Sequence, residues 1–169
     1  IGSHLCALLI SRGHEVQAYD QGVAAAPDWL KTAREKHAAA EVIVGDILDV
    51  RQLTDVIRSN RPDVLINLAA KPGVAEAEQD PALYQRINVE GVDAILEACL
   101  GAGLRQIVHA SSSSVYGHSI GPINESQPLS PIGQYGLTKM QGEAKIREAA
   151  RRNGISARIL RPFTVIGPF

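Results

Sequence analysis

Apolar residues recur along this chain in two alternating rhythms, one with helical spacing and one of short, near-continuous runs. Leu5, Leu8 and Leu9 follow the helical spacing, and Gly13 reads as the cap that ends it. Val16 to Tyr19 is then a short strand ending at Asp20, with a loop through Pro27 and a helix around Trp29 to Ala39. Glu41 to Val44 is a second strand, closed by Gly45-Asp46. Asp49 caps a helix reaching about Ser59, with Leu53, Val56 and Ile57 inward and Pro62 as the breaker. Asp63 to Leu68 is a third strand that runs into Ala69-Ala70. Asp80-Pro81 opens a helix through Asn88 and Ile95 to about Leu100, stopped by Gly101 and Gly103. Leu104 to Val108 forms a strand that ends at His109 and four serines, Ser111 to Ser114. A proline-rich loop spans Gly117 to Gly133, a helix runs from Tyr135 to about Asn153, and Ile155 to Arg161 is the last strand.

Strands alternating with helices, several of the strands apolar throughout, predict an α/β protein: a parallel sheet covered by helices on both faces. Such sheets bind ligands beyond the carboxyl ends of their strands. Those ends carry Asp20, Asp46, Ala69-Ala70, Ser111 to Ser114 and Pro162-Phe163, so all five clusters are expected to line one crevice. The 169 residues suit one domain, and 45% apolar with 21% charged residues is ordinary for a globular chain. A net charge of −1 suggests neither a nucleic-acid footprint nor a membrane-surface patch. Cys6 and Cys99 lie far apart in helical patterns and read as core residues of a reduced, cytoplasmic protein, not as a disulfide or metal site. No apolar run approaches the roughly 18 residues that cross a bilayer.

Tyr135 and Lys139 stand four apart on a helix, so phenol and ammonium share one face. A lysine cation near a tyrosine favours the phenolate, and the serine hydroxyls at the preceding strand end could bond the same substrate oxygen. An ordinary exposed helix pair and a solvated serine loop are the plain alternatives. Asp20 lies eighteen residues after Gly2, where an acidic side chain bonds the ribose 2′-OH of NAD and repels the 2′-phosphate of NADP. A solvated strand-end aspartate is the alternative there. Asp46 would sit near the adenine amino group, and Ala69 and Ala70 are small enough for a dinucleotide to pass close above the sheet.

Taken together, IGSHL at the start, Asp20, GDILD (45–49), NLAA (67–70), DPALYQRINVEGVDAILEA (80–98), HASSSSVYG (109–117), YGLTK (135–139) and LRPFTVIGP (160–168) resemble the extended short-chain dehydrogenase/reductase family, specifically its nucleotide-sugar epimerases. The resemblance implies a doubly wound Rossmann domain, N-terminally truncated. Residues 1–169 would be part of the NAD-binding domain, without its first strand and glycine-rich turn and without the substrate domain. It implies Tyr135 as base, Lys139 as its partner and Ser112 as the third catalytic residue. Gly2, Asp20, Asp46, Ile47, Leu68, Ala69, Ala70, Asn88, Ser111, Tyr135, Lys139 and Phe163 match cofactor-lining positions. Ser112, Ser113, Ser114, Tyr135 and Thr164 match substrate positions. Related 4,6-dehydratases and decarboxylases carry a carboxylate just before Val-Tyr-Gly, where this chain has only hydroxyls, which favours epimerisation. SSSSVYG with FTVIGP looks most like the UDP-glucuronate and UDP-galacturonate 4-epimerases, although Ala75, Gln134 and Ile166 depart from the usual residues. The implied partners are NAD, a UDP-sugar and, for the full-length protein, a second copy of itself. A dehydratase, decarboxylase or reductase of the same family, or a non-catalytic NAD-binding protein, are the alternatives.

Overall fold

Five apolar stretches form parallel strands: β1 (Val16–Asp20), β2 (Ala40–Val44), β3 (Leu65–Asn67), β4 (Gln106–Ala110) and β5 (Ser156–Leu160). The computed structural model describes residues 1–22 and 40–166; the helix expected around Trp29 to Ala39 lies outside them. β1 pairs with β2 from Val16↔Ala40 to Asp20↔Val44. A second ladder has the order β3-β4-β5, with Asn67 opposite His109 and Ala110 opposite Leu160. No ladder joins β1 to β3 among the described residues. Because every pairing is parallel, the carboxyl ends within each ladder come out on the same side, which is where the polar clusters stand.

Among the described residues the helices are α1 (Gly2–Ser11), α2 (Val50–Asn60), α3 (Val74–Gln79), α4 (Pro81–Gln85), α5 (Gly91–Ala102) and α6 (Gly133–Asn153). Asp49 caps α2 by accepting from the Gln52 N–H at 2.9 Å. Pro62 cannot continue that helix, and Arg61 ends it in the left-handed region at φ 46. Leu53 and Ile57 of α2, Ile95 and Cys99 of α5, Ile107 of β4 and Ile146 of α6 share one core. Full burial of side chains such as Ile107 and Ile146 is worth about 1.5–3 kcal/mol each. Burial raises the Cys99 thiol to about 12, as suits a filler of the interior, and burial raises half-buried Cys6 as well.

Four elements differ from the sequence expectation, β4 among them, which runs Gln106–Ala110 and not Leu104 to Val108. β3 is confined to Leu65–Asn67, shorter than Asp63 to Leu68. α3 stands where no helix was expected. The single helix expected from Asp80 widens into a π turn at Arg86–Glu90 between α4 and α5. Asn88, buried in that turn, accepts from the Lys71 N–H at 2.7 Å and donates to the Lys71 carbonyl at 3.1 Å. The widened turn thus holds the loop after β3, a use of π turns common near functional sites. No helix among the described residues is long and apolar enough to cross a membrane.

Candidate active site

The four serines after β4 turn back on themselves. Ser111 is buried, and its N–H donates to the Leu160 carbonyl at 2.7 Å. Ser112 caps a 3₁₀ turn, Ser113–Tyr116, its hydroxyl oxygen accepting from the Ser114 N–H and its O–H donating to Ser114 Oγ, both at 3.1 Å. The Ser113 N–H donates to the Pro162 carbonyl at 3.0 Å, tying the turn to the chain leaving β5.

α6 lies directly on this turn. A Cβ at Gly136 would stand 2.7 Å from the Ser114 carbonyl oxygen and 3.0 Å from Pro131 Cβ, so only glycine allows the approach. On the same helix Lys139 reaches the Ala110 carbonyl, immediately before the serine cluster. Tyr135 is half-buried and meets the Tyr84 ring edge to face, centroids 6.3 Å apart at 86°. Tyr84 is itself pinned by its hydroxyl donating to the Pro72 carbonyl. Glu78 of α3 accepts from the Gln134 N–H at 2.6 Å, so a carboxylate caps the amino end of α6 from 56 residues away.

Lys139 is only 3% exposed, and its ammonium donates to the Ala110 carbonyl at 2.6 Å. Burial lowers its pKa to about 8, while Glu143, one helical turn further on, pulls the other way. His109, on β4, is 1% exposed. Its Nδ1 accepts from the Asn67 amide at 3.1 Å, which assigns the proton to Nε2. Burial first, and the Lys139 cation second, lower its pKa to about 4, so the ring is neutral. Burial alone would raise the Glu143 carboxyl; hydrogen bonding from Arg161 brings it below the usual range.

The expected cofactor-lining residues fall into two groups. Asp20 is exposed at the end of β1; its carboxylate accepts from the Gly22 N–H at 3.3 Å and its carbonyl from the Gly45 N–H at 2.8 Å. Gly2 begins α1, and a Cβ there would lie 3.6 Å from Leu68 Cδ1. Ala69 is exposed and Ala70 half-buried, while Phe163 and Thr164 are exposed beyond β5. Inward of these, Asp46 accepts from the Leu48 N–H at 2.9 Å, Ile47 belongs to the core, and the Asn88 amide is committed to Lys71 and Thr138. Sequence reading missed Tyr84, Glu78, Glu143, Arg161 and His109. Of these only Glu143 carried a signal, being four residues beyond Lys139 on the same face.

A doubly wound α/β sheet with its polar chemistry at the strand ends defines a nucleotide-binding class of domain. The chain belongs to the NAD-dependent epimerase/dehydratase family, which matches residues 1–169. It is 32% identical to the UDP-glucose 4-epimerase of Rhizobium meliloti over 99% of this chain and 49% of that protein. The UDP-glucose 4-epimerase of Brucella ovis, solved with NAD, has a TM-score of 0.88 at 31% identity, covering 96% of this chain and 48% of that one. The UDP-glucuronic acid 4-epimerase of Bacillus cereus, solved with UDP-glucuronic acid and NAD, has a TM-score of 0.85 at 34% identity, covering 99% and 55%. The chain spans about half the length of the curated relatives it matches.

Proposed function

We propose that the protein interconverts the 4-epimers of a UDP-sugar, with UDP-glucuronate and UDP-galacturonate as its pair. The observation that carries this reading is the seating of α6 on a serine turn without carboxylates, which Gly136 permits. In this reading Tyr135, Lys139 and the hydroxyls of Ser112, Ser113 and Ser114 would act on one sugar oxygen. The uronate is supported by the likeness to the Bacillus cereus enzyme, and the broader UDP-sugar class by the Rhizobium and Brucella relatives.

The strand-end residues fit a dinucleotide. Exposed, small Ala69 and side-chain-free Gly2 leave the rim of the sheet open, and the Asp20 carboxylate is exposed for a ribose diol. Gly2, Asp20, Ala69 and Ala70 would hold NAD, with Asp46 towards the adenine and Ser111 and Phe163 towards the other end. NAD held there would supply reversible hydride exchange with the sugar C4. Tyr135 takes the 4-OH proton, a step typically worth about 10²–10⁴-fold, and gives it back as the 4-keto sugar is reduced on its other face. The Lys139 ammonium donates to the Ala110 carbonyl; in this reading its cation would face the phenol across one turn of α6 and Ser112 would orient the 4-oxygen. The absence of Asp and Glu from Ser111 to Ser114 leaves no group there for loss of water or of carbon dioxide. The cytoplasmic location and the homodimer stand on the family resemblance alone.

Incubating the full-length protein with UDP-glucuronate tests the reading. The expected product is the 4-epimer, with no accumulation of NADH. A 4-keto-6-deoxy sugar would make the protein a dehydratase, a pentose a decarboxylase, and turnover of UDP-glucose alone would reject the uronate.

A further inference from the structure

Tyr135 lies in the first turn of α6, where a helix is least supported because its opening N–H groups have no helical carbonyl to bond. Ile132, at the cap position, gives no side-chain bond, and no acid stands in the first turn. The bond comes from α3 instead: Glu78 Oε1 accepts from the Gln134 N–H at 2.6 Å, one residue before Tyr135. The chain is shaped to admit that carboxylate. Gly133 has φ 76, in the left-handed region, and a Cβ there would stand 2.8 Å from Glu78 Oε1. The same segment holds the Tyr135 ring, since Tyr84 meets it edge to face and the Tyr84 hydroxyl is bonded to the Pro72 carbonyl just ahead of α3. Residues 72–84 thus grip Tyr135 at two points, by the backbone leading into it and by its ring. Lys139, one turn further on, is held separately by the Ala110 carbonyl, and Gly136 rests on the Ser114 carbonyl. Release of the Glu78 bond therefore loosens Tyr135 while the middle of the helix stays seated.

We propose that Glu78 is a positioning residue, which fixes the start of α6 so that the Tyr135 phenol is held in one place. The consequence for catalysis rests on the epimerase reading; the effect on Tyr135 does not. The test therefore begins without NAD or substrate. Full-length protein carrying ¹³C at tyrosine Cζ and ¹⁵N in glutamine is observed by NMR, the two signals being assigned by their loss in Tyr135→Phe and Gln134→Ala. Glu78 is exposed, and alanine keeps the helix propensity of α3, so Glu78→Ala is expected to fold, which thermal unfolding checks. Loss of a side-chain cap should speed exchange of the Gln134 amide by about fivefold, and the Tyr135 signal should shift or broaden. Glu78→Gln retains an acceptor oxygen and should return both signals towards the parent. In the epimerase assay Glu78→Ala should lower kcat by about fivefold with NAD affinity unchanged, and Glu78→Gln should restore it to within twofold. A merely structural defect would lower the amount of folded protein and leave the Tyr135 signal of that fraction in place. An unchanged Tyr135 signal in folded Glu78→Ala, or a Glu78→Gln variant that behaves like Glu78→Ala, overturns the proposal. Absence of epimerase activity would reject the functional reading and leave the NMR result to decide this one.

Discussion

Gly136 and Gly101 offer the same substitution in two settings. Ala exceeds Gly in helix propensity by about 0.8–1 kcal/mol, so Gly→Ala within an unobstructed helix stabilises. At Gly101 of α5 the new methyl would meet Thr54 Cγ2 at 3.7 Å, an ordinary contact. At Gly136 it would meet the Ser114 carbonyl oxygen at 2.7 Å, about 0.7 Å short of the 3.4 Å where ordinary contact begins. The obstacle is backbone, and Pro131 Cβ at 3.0 Å blocks the sideways escape. Overpacking of this kind costs about 1–3 kcal/mol, so the helix gain is cancelled and up to about 2 kcal/mol of stability is lost. α6 must lift from the serine turn by a sizeable part of that 0.7 Å, carrying Tyr135 and Lys139 with it. Misplacement of reacting groups by about 1 Å can cost about 10²-fold, so Gly136→Ala is expected to lower kcat by about 10–100-fold. Gly101→Ala should raise the thermal midpoint and leave kcat unchanged. Thermal unfolding and initial epimerisation rates of the two full-length variants make the comparison. A Gly136→Ala enzyme with kcat within twofold of the parent would refute the close seating of α6.

Tyr135→Phe should abolish turnover while leaving NAD binding nearly intact by calorimetry, and Lys139→Ala should harm both; more than about a tenth of kcat retained in Tyr135→Phe would reject the base. NAD should bind the full-length protein much more tightly than NADP, and Asp20→Ala should narrow the gap; equal affinities in the unmutated protein would reject the role of Asp20. His109 titrates near 6.5 unfolded and about 4 folded, so the unfolded chain binds the extra proton and stability falls, by up to about 3 kcal/mol, as pH drops from 6.5 to 4. Denaturant unfolding of His109→Gln should show a flatter slope in that window; an equal slope would place the acid sensitivity elsewhere. Because β1 and β3 share no ladder among the described residues, the 169-residue chain by itself is expected to bind hydrophobic dyes and to give no micromolar NAD isotherm, and a clean isotherm would count against this.

The alternation of apolar runs with helical spacing determined the class of fold, because a strand buried on both faces and a helix buried on one impose different periods on the same chain. Local chemistry placed the ends of elements equally well: Asp49 and Asp80 cap the helices they were expected to cap, and Gly154 leaves α6 in the left-handed region at φ 67. The spacing of Tyr135 and Lys139 was legible for the same reason, since four residues on a helix fix a shared face without reference to the rest of the chain. What the tertiary structure decided involves partners distant in sequence. Lys139 reaches the Ala110 carbonyl 29 residues away, Arg161 meets Glu143 across 18, and Glu78 caps α6 across 56. None of these pairs has a period, because each depends on which strand end the helix lands on. The π turn escaped notice because Arg86 to Glu90 have ordinary helical composition, and its widening serves Asn88's bonds to a loop seventeen residues earlier. Gly136, inside Tyr-Gly-Leu-Thr-Lys, reads in sequence as a weak helix residue, and only the serine turn packed against it shows why a side chain there would not fit.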